Sequence, residues 1–242
     1  MNTFLSGRIA TVVLCLVLFL TACQSSDIGA PVRNAGESGK YHRVSKGDTL
    51  YSIAWRYGKD YKGLASANKI DHPYTIYLGQ KILIRGRSAE SVSTRKPASK
   101  KKITKSETIV KSSAPSSKTE IQWGWPLNGQ VLKEFSLQGK VNKGIDIAGS
   151  AGTRVNAAAD GVVVYAGGNL RGYGKLVIVK HNDRFLSAYG NNRSIRVKEG
   201  QKVKQGQVLA EVGTSSSDVE MLHFEIRRDG KPENPVSYLP GH

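Results

Sequence analysis

Apolar residues recur along the chain with the spacing of helices in one region and of strands in another. The first region that predicts a folded module lies at residues 41–85. Strands are predicted at residues 41–44 and 74–84. Between them, apolar side chains fall at the i, i+3, i+4 and i+7 positions of one helix face, at Leu50, Ile53, Ala54 and Tyr57. A second helix is predicted at residues 61–68. The pattern therefore predicts a small α+β module with the order β-α-α-β.

Polar residues and a glycine mark the ends of the first predicted helix. Asp48 or Thr49 can offer a side-chain oxygen to the free amides of the first turn. Gly58 lies where a helix ends in a left-handed residue. The helix is therefore expected to begin just after residue 48 or 49 and to end before residue 58.

A period of two dominates the second folded pattern, at residues 122–240. Strands separated by Gly, Asn and Asp turns are predicted at residues 130–134, 161–167, 176–181, 184–189, 208–212 and 222–227. An antiparallel, mainly-β domain follows. The same period places Met221, His223 and Glu225 on one face of a strand.

The first 22 residues are typical of an export signal rather than of a folded domain. Arg8 precedes an apolar run at residues 9–20, which is too short for a comfortable transmembrane span. Residues 20–23 end it with small residues and a cysteine, and resemble a bacterial lipobox. That resemblance implies cleavage before Cys23, lipidation of Cys23 and, because Gln24 follows, sorting to the outer membrane. A plain secretory signal with an incidental cysteine is the alternative.

Cysteine usage fits this interpretation. Cys15 lies in the removed signal and Cys23 would carry the lipid, so the mature chain has no thiol left for a disulfide. Both domains must then be held by their own cores.

Two polar segments separate the folded patterns. Residues 23–40 predict a flexible tether, and residues 86–121, rich in Ser, Thr and Lys, predict a basic disordered linker. We therefore expect the two modules to act as independent bodies. The chain of 242 residues with 39% hydrophobic content is long enough for both.

The formal net charge of +17 would favour nucleic acid in a cytosolic protein, but the export signal excludes that partner. Weak attraction to anionic lipid head groups and wall carboxylates is expected instead, and salt should weaken it.

The first module resembles LysM domains through four motifs, at residues 47–50, 53–54, 68–70 and 78–82. The resemblance implies a shallow groove that binds N-acetylglucosamine-containing glycans of peptidoglycan. Mapped onto this chain, the groove consists of Gly47, Asp48, Thr49, Ile70, Pro73, Tyr74 and Ile76. Asp48 and Thr49 would serve as helix caps as well.

The second domain resembles LytM/lysostaphin-type murein metallopeptidases through ordered motifs at residues 125–127, 144–148, 159–163, 172–174, 197–201 and 234–240. That family has His-x-x-x-Asp, Tyr-x-His and His-x-His. The corresponding positions here are Asn142, Asp146, Asn191, Met221 and His223. Only Asp146 and His223 match zinc ligands, whereas a catalytic zinc needs three. We expect no bound metal, no cofactor and no catalysis. Glu225 could be a replacement ligand or base, but a hydrogen bond to the site or a surface charge is the favoured role.

The combination of lipoprotein signal, LysM module and degenerate LytM domain resembles NlpD-like lipoproteins. This implies a non-catalytic outer-membrane lipoprotein facing the periplasm, which binds peptidoglycan and activates a periplasmic N-acetylmuramoyl-L-alanine amidase. The vestigial active site would become the groove for the amidase, formed by Asn142, Lys143, Asp146, Arg171, Tyr173, Tyr189, Asn191, Met221 and His223. An inactive murein-binding tether and a residual zinc murein endopeptidase are the alternatives.

Overall fold

The computed structural model describes residues 41–84 and 120–241. The predicted signal peptide, the lipidation site at Cys23, the tether and nearly all of the linker lie outside the described residues. No helix within the described ranges is long and apolar enough to cross a membrane.

The first module has the predicted β-α-α-β order. It consists of strand β1 (Tyr41–Arg43), helix α1 (Leu50–Arg56), helix α2 (Tyr61–Ala67) and strand β2 (Lys81–Leu83). The two strands form an antiparallel pair in which His42 lies opposite Ile82. The prediction of a returning strand from residue 74 is wrong, because the three-residue β1 offers partners only to residues 81–83.

Local hydrogen bonds explain where the two helices begin. Thr49 is the N-cap of α1 and forms a capping box with Ser52, in which each side chain accepts from the other residue's backbone amide. Asp60 caps α2 by accepting from the amide of Gly63. Gly58 has a φ of 60° just after α1, as predicted.

The second domain is mainly β and antiparallel, as predicted. Its strands are β3 (Val131–Lys133), β4 (Ile145–Ala148), β5 (Arg154–Asn156), β6 (Gly161–Gly167), β7 (Lys175–Lys180), β8 (Phe185–Ile195), β9 (Lys202–Val203), β10 (Val208–Thr214), β11 (Glu220–Arg228) and β12 (Lys231–Glu233). A 3-10 turn at Pro235–Ser237 follows. The sheet order is β3-β4-β11-β10-β8-β7-β6-β9, with β12 beside β11 and β5 beside β10. All six predicted strands are present, and β4, β5, β9 and β12 were not predicted.

One face of this sheet builds the core of the domain. Ile147, Val177, Tyr189, Leu209 and Phe224 are among its fully buried members. Trp123 and Trp125 pack at the edge of this cluster, so the segment before β3 is part of the fold.

The opposite face of β6, β7 and β8 is also apolar, and the LysM module covers it. Tyr165, Leu176, Ile178, Leu186 and Ala188 belong to one hydrophobic cluster with the LysM core. The LysM side chains at this cluster include the buried Trp55 and Tyr61. A patch of this size would be costly to expose, so the two modules bury it together.

Polar contacts frame this apolar interface. Thr49 Oγ1 donates to the Val164 carbonyl at 3.1 Å, and Asn169 Nδ2 donates to the Lys46 carbonyl at 2.9 Å. Lys62 Nζ forms an ion pair with Asp183 at 3.0 Å. The expectation of independent modules is therefore wrong, since residues 41–84 and 120–241 belong to one compact unit.

Candidate functional site

Two neighbouring strands bring together Asp146 and His223, the two residues that match zinc ligands of the family. Strands β4 and β11 pair so that His223 lies opposite Asp146. The His223 Nδ1 atom is 2.7 Å from Asp146 Oδ1. Both side chains are largely shielded from solvent. The site is thus fixed by sheet register rather than by loops.

A chain of buried charges continues from His223 along β11. Its Nε2 atom is 3.1 Å from Glu225 Oε1, and Tyr173 donates its hydroxyl to the same oxygen at 2.8 Å. Arg227 donates to Glu225 Oε2 at 2.9 Å. Glu225 and Arg227 are almost completely buried.

The chain of charges ends at the LysM module. Arg227 donates from Nη1 to the Trp55 carbonyl at 2.8 Å, and its guanidinium carbon lies 3.6 Å from the centre of a Trp55 ring. This combines a hydrogen bond with a cation–π contact. The vestigial site and helix α1 are therefore in direct physical connection.

The surroundings of His223 favour the protonated form of its ring. Burial alone would lower its pKa, but the hydrogen bonds to Asp146 and Glu225 outweigh burial and raise the pKa to about 9. Burial raises the pKa of Glu225, yet His223 and Arg227 together lower it below its usual value. The imidazolium therefore lies between two carboxylates and donates to both.

These residues do not fit a catalytic zinc. Asp146 and His223 supply only two of the three protein ligands that a catalytic zinc needs, and both ring nitrogens of His223 already face carboxylates. Asn142 donates its amide to the carbonyls of Lys133 and Glu134 at 3.4 and 3.2 Å. Within the two described ranges, no group of three His, Cys, Asp or Glu side chains could hold a metal ion.

Of the other predicted groove residues, Asn191, Tyr173 and Met221 lie near His223 or on its strand, whereas Lys143 and Arg171 are exposed farther out. The backbone amide of Asn191 donates to the Tyr173 carbonyl at 2.7 Å, and the Tyr173 ring lies 5.7 Å from that of His223. Met221 is half-buried on β11 opposite Ala148. Lys143 and Arg171 are exposed at the rim.

Tyr189 does not belong to the groove surface. Its side chain is fully buried, accepts from the Ala158 amide at 2.8 Å and packs against Phe224. Its prediction as a partner-contacting residue is wrong, because the ring faces the core side of β8.

A cavity of about 470 Å³ opens beside the rim, between the two modules. Trp55 and Arg56 contribute its LysM side. The LytM side consists of Lys143, Asn169, Leu170, Arg171 and Tyr173. Three of the seven lining residues are cationic and none is acidic.

The predicted glycan residues lie at two places on the LysM module. Asp48 is an internal hydrogen-bond acceptor, with His42 Nε2 and the Ser45 amide each 2.8 Å from its Oδ2 atom. Burial raises the pKa of Asp48, but these contacts hold it below its usual value. Gly47 and Thr49 face the LytM domain in part.

The second group lies on the loop before β2. Tyr74 stands edge-on to Tyr51, Tyr61 and His72. Ile70 and Ile76 are half-buried, and Pro73 is exposed. This loop remains accessible with the modules in contact.

Sequence reasoning did not assign Trp55, Arg56 or Arg227 to the site. Trp55 and Arg227 are 172 positions apart, so no local spacing connects them. One signal was available in the uninterrupted apolar run of residues 176–179, which indicates a strand buried on both faces and therefore a covering element.

Comparison with known proteins agrees with both modules. Residues 42–85 match the LysM domain and residues 140–235 match peptidase family M23. The chain is 44% identical to the "Lipoprotein NlpD/LppB homolog" of Pseudomonas aeruginosa, with 91% of this chain and 88% of that protein covered.

Two relatives from Escherichia coli K12 extend this comparison. The "Murein hydrolase activator NlpD" is 38% identical, over 84% of this chain and 68% of that protein. The "Uncharacterized lipoprotein YgeR" is 39% identical, over 92% of this chain and 89% of that protein. The chain therefore belongs to the NlpD/LppB family of envelope lipoproteins, in which a LysM domain precedes a domain of peptidase family M23.

Proposed function

We propose that this protein is a non-catalytic outer-membrane lipoprotein that binds peptidoglycan and activates a periplasmic N-acetylmuramoyl-L-alanine amidase. The LysM module holds the glycan, with Ile70, Pro73, Tyr74 and Ile76 as its accessible part. The rim of the vestigial site, including Lys143, Arg171 and Tyr173, contacts the amidase. The lipid on Cys23 keeps the protein at the periplasmic face of the outer membrane.

The donor set around Asp146 and His223 is the observation that supports the non-catalytic assignment. Asn142 stands where the family has a ligand histidine, and its amide nitrogen donates to the carbonyls of Lys133 and Glu134. Asn191 and Met221 replace the two other family histidines, and a methionine cannot move a proton. The groove beside this site can then bind a segment of another protein, because grooves that fit a peptide are a recurring mode of protein recognition.

A reconstitution experiment tests this function. The mature protein is mixed with each amidase of its own cell and with dye-labelled murein sacculi, and dye release is measured. We expect no release by the protein alone and faster release when it accompanies one of the amidases. Chelator-sensitive release by the protein alone would make it an endopeptidase. Binding to sacculi without stimulation of any amidase would make it a tether.

A pair of variants separates the two binding surfaces. Tyr74→Ala removes apolar contact with the sugar face, so it should weaken retention on sacculi by several-fold while amidase stimulation in solution persists. Arg171→Glu should reduce stimulation and leave retention on sacculi unchanged. Equal loss of both activities in both variants would contradict the assignment of separate surfaces.

A further inference from the structure

We infer that helix α1 of the LysM module completes the amidase-binding groove, and that the cavity between the modules receives the carboxylates of an acidic, amphipathic segment of the amidase. This inference rests on the proposed function. It goes further in giving the LysM module a direct part in activation, apart from glycan binding, and in naming the chemistry of the segment that binds.

Both modules form the walls of the cavity. Trp55 and Arg56 project from the last turn of α1, while Leu170, Arg171 and Tyr173 come from the loop between β6 and β7. A groove built from the LytM domain alone would lack the Trp55 and Arg56 side. The docked LysM module is therefore part of the binding surface.

The charges of the cavity favour an anion. Lys143 and Arg171 form no ion pair with any side chain of residues 41–84 or 120–241. Arg56 approaches Asp48 only to 3.7 Å, and Asp48 already has His42 as a closer partner. Unpaired cations around a concave, partly apolar site attract carboxylates and form charge-assisted hydrogen bonds with them.

The two buried carboxylates of the neighbouring chain of charges already have partners of their own. Asp146 is matched by His223, and Glu225 is matched by both His223 and Arg227. The buried chain of charges is therefore satisfied internally. The rim cations remain available to a ligand.

The arginine on the LysM side is already positioned. Arg56 donates from Nη2 to the Asn169 carbonyl at 3.1 Å, and the Asn169 amide donates in turn to the Lys46 carbonyl at 2.9 Å. Below them, the Arg227–Trp55 contact holds the end of α1. Preorganised cations lose little entropy when a partner binds.

The lining fits a peptide segment better than a glycan. Trp55 and Leu170 form an almost fully buried apolar floor, and the half-buried Tyr173 ring lies beside the exposed cations, which suits a segment with one apolar and one acidic face. The accessible glycan residues at positions 70–76 do not line the cavity. About 470 Å³ is enough for a few side chains.

The test measures affinity of the full chain for the amidase in solution, without murein, by titration calorimetry. Arg56→Gln removes the charge and leaves a shorter polar N–H donor, and Arg171→Gln removes the charge on the opposite wall. Each should weaken binding about 10-fold, as expected for loss of one charge-assisted hydrogen bond. Arg43→Gln, exposed on β1 and outside the cavity, is the matched control and should leave affinity within about 2-fold.

Three outcomes would overturn the inference in different ways. If Arg56→Gln binds as tightly as the control, the LysM module takes no part and only this inference fails. If a murein stem tetrapeptide displaces the amidase in the wild type but not in Arg171→Gln, the cavity is a murein site. If no amidase binds the unaltered chain, the proposed function fails together with the inference. Hydrogen exchange of the α1 amides checks that Arg56→Gln stays docked, and continued protection is the expected result.

Discussion

At the residue scale, a histidine held between two carboxylates occupies the centre of the candidate site. The pKa of His223 rises from 6.5 to about 9 although burial opposes the charge, because Asp146 and Glu225 both accept hydrogen bonds from its ring. That rise corresponds to stabilisation on the order of 3 kcal/mol. The folded protein therefore binds this proton more tightly than the unfolded chain does.

A pH dependence of stability follows from this pKa. Because the folded value is the higher one, the contribution of the charged ring is complete below pH about 6.5 and is lost as the pH rises through about 9. We expect the difference in unfolding free energy between the wild type and His223→Gln to shrink between these limits. Urea titrations at pH 6 and pH 10 measure it, and an unchanged difference would mean that folding does not raise the pKa of the ring.

Arg227 shows what a buried charge requires. Replacing it by Met leaves the Glu225 carboxylate buried with one cationic partner fewer and removes the hydrogen bond to Trp55. We expect Arg227→Met to lower the free energy of unfolding by about 3–5 kcal/mol. Arg184→Met breaks an exposed pair with Asp229 and should cost at most about 1 kcal/mol. Equal costs in urea titrations would place Arg227 in solvent.

Residue identities alone showed that Asp146 and His223 match the family's zinc ligands and that the other family positions are replaced. They did not show the protonation state of these two side chains. That required the register of β4 against β11, which sets the distances to both carboxylates. The burial of Tyr189 was hidden for a related reason. Its hydroxyl accepts from the amide of Ala158, which lies 31 positions away in the bend between β5 and β6, so the polar end of the side chain gave no sign of a core position.

At the scale of elements, the sequence predicted strands where apolar and polar residues alternate. Strand β4 was missed because it is only four residues long, so its Ile145-Asp146-Ile147 alternation is too short to establish a period. Strands β5, β9 and β12 are only two or three residues long, too short to show a period. Helix α1 was predicted well because its capping box and its apolar face are both local.

The N-caps of the two LysM helices differ in one contact. The Asp60 side chain accepts from the Gly63 amide of its own helix. The Thr49 hydroxyl caps α1 in the same way and also donates to the Val164 carbonyl of the LytM domain. We expect Asp60→Ala to cost about 1 kcal/mol and Thr49→Ala about twice as much. Thr49→Ser keeps the hydroxyl and should stay near the wild type. Denaturant midpoints at constant slope measure these changes, and equal costs for the two Ala variants would argue against the contact with Val164.

At the scale of the whole molecule, the basic composition of the linker gave a misleading expectation. The composition of a linker predicts how flexible the linker is. It does not predict whether the two modules that it joins bind each other. The deciding signal was the apolar surface of β6–β8, shared by Tyr165, Leu176 and Ile178, which needs a cover. Assigning that cover to LysM required the tertiary contacts themselves.

Joint tumbling of the two modules is the measurable consequence of this interface. In the wild type, NMR relaxation should give backbone amides of residues 41–84 and 120–241 the same rotational correlation time. Leu176→Asp places a charge on the face of β7 that packs against LysM, where the side chain is fully buried, and should give the LysM amides a shorter correlation time than the LytM amides. Val219→Asp makes the same kind of change at an exposed position and should keep the two values equal. Different correlation times already in the wild type would mean that the modules do not stay docked in solution, and the LysM contribution to the groove would fall with that result.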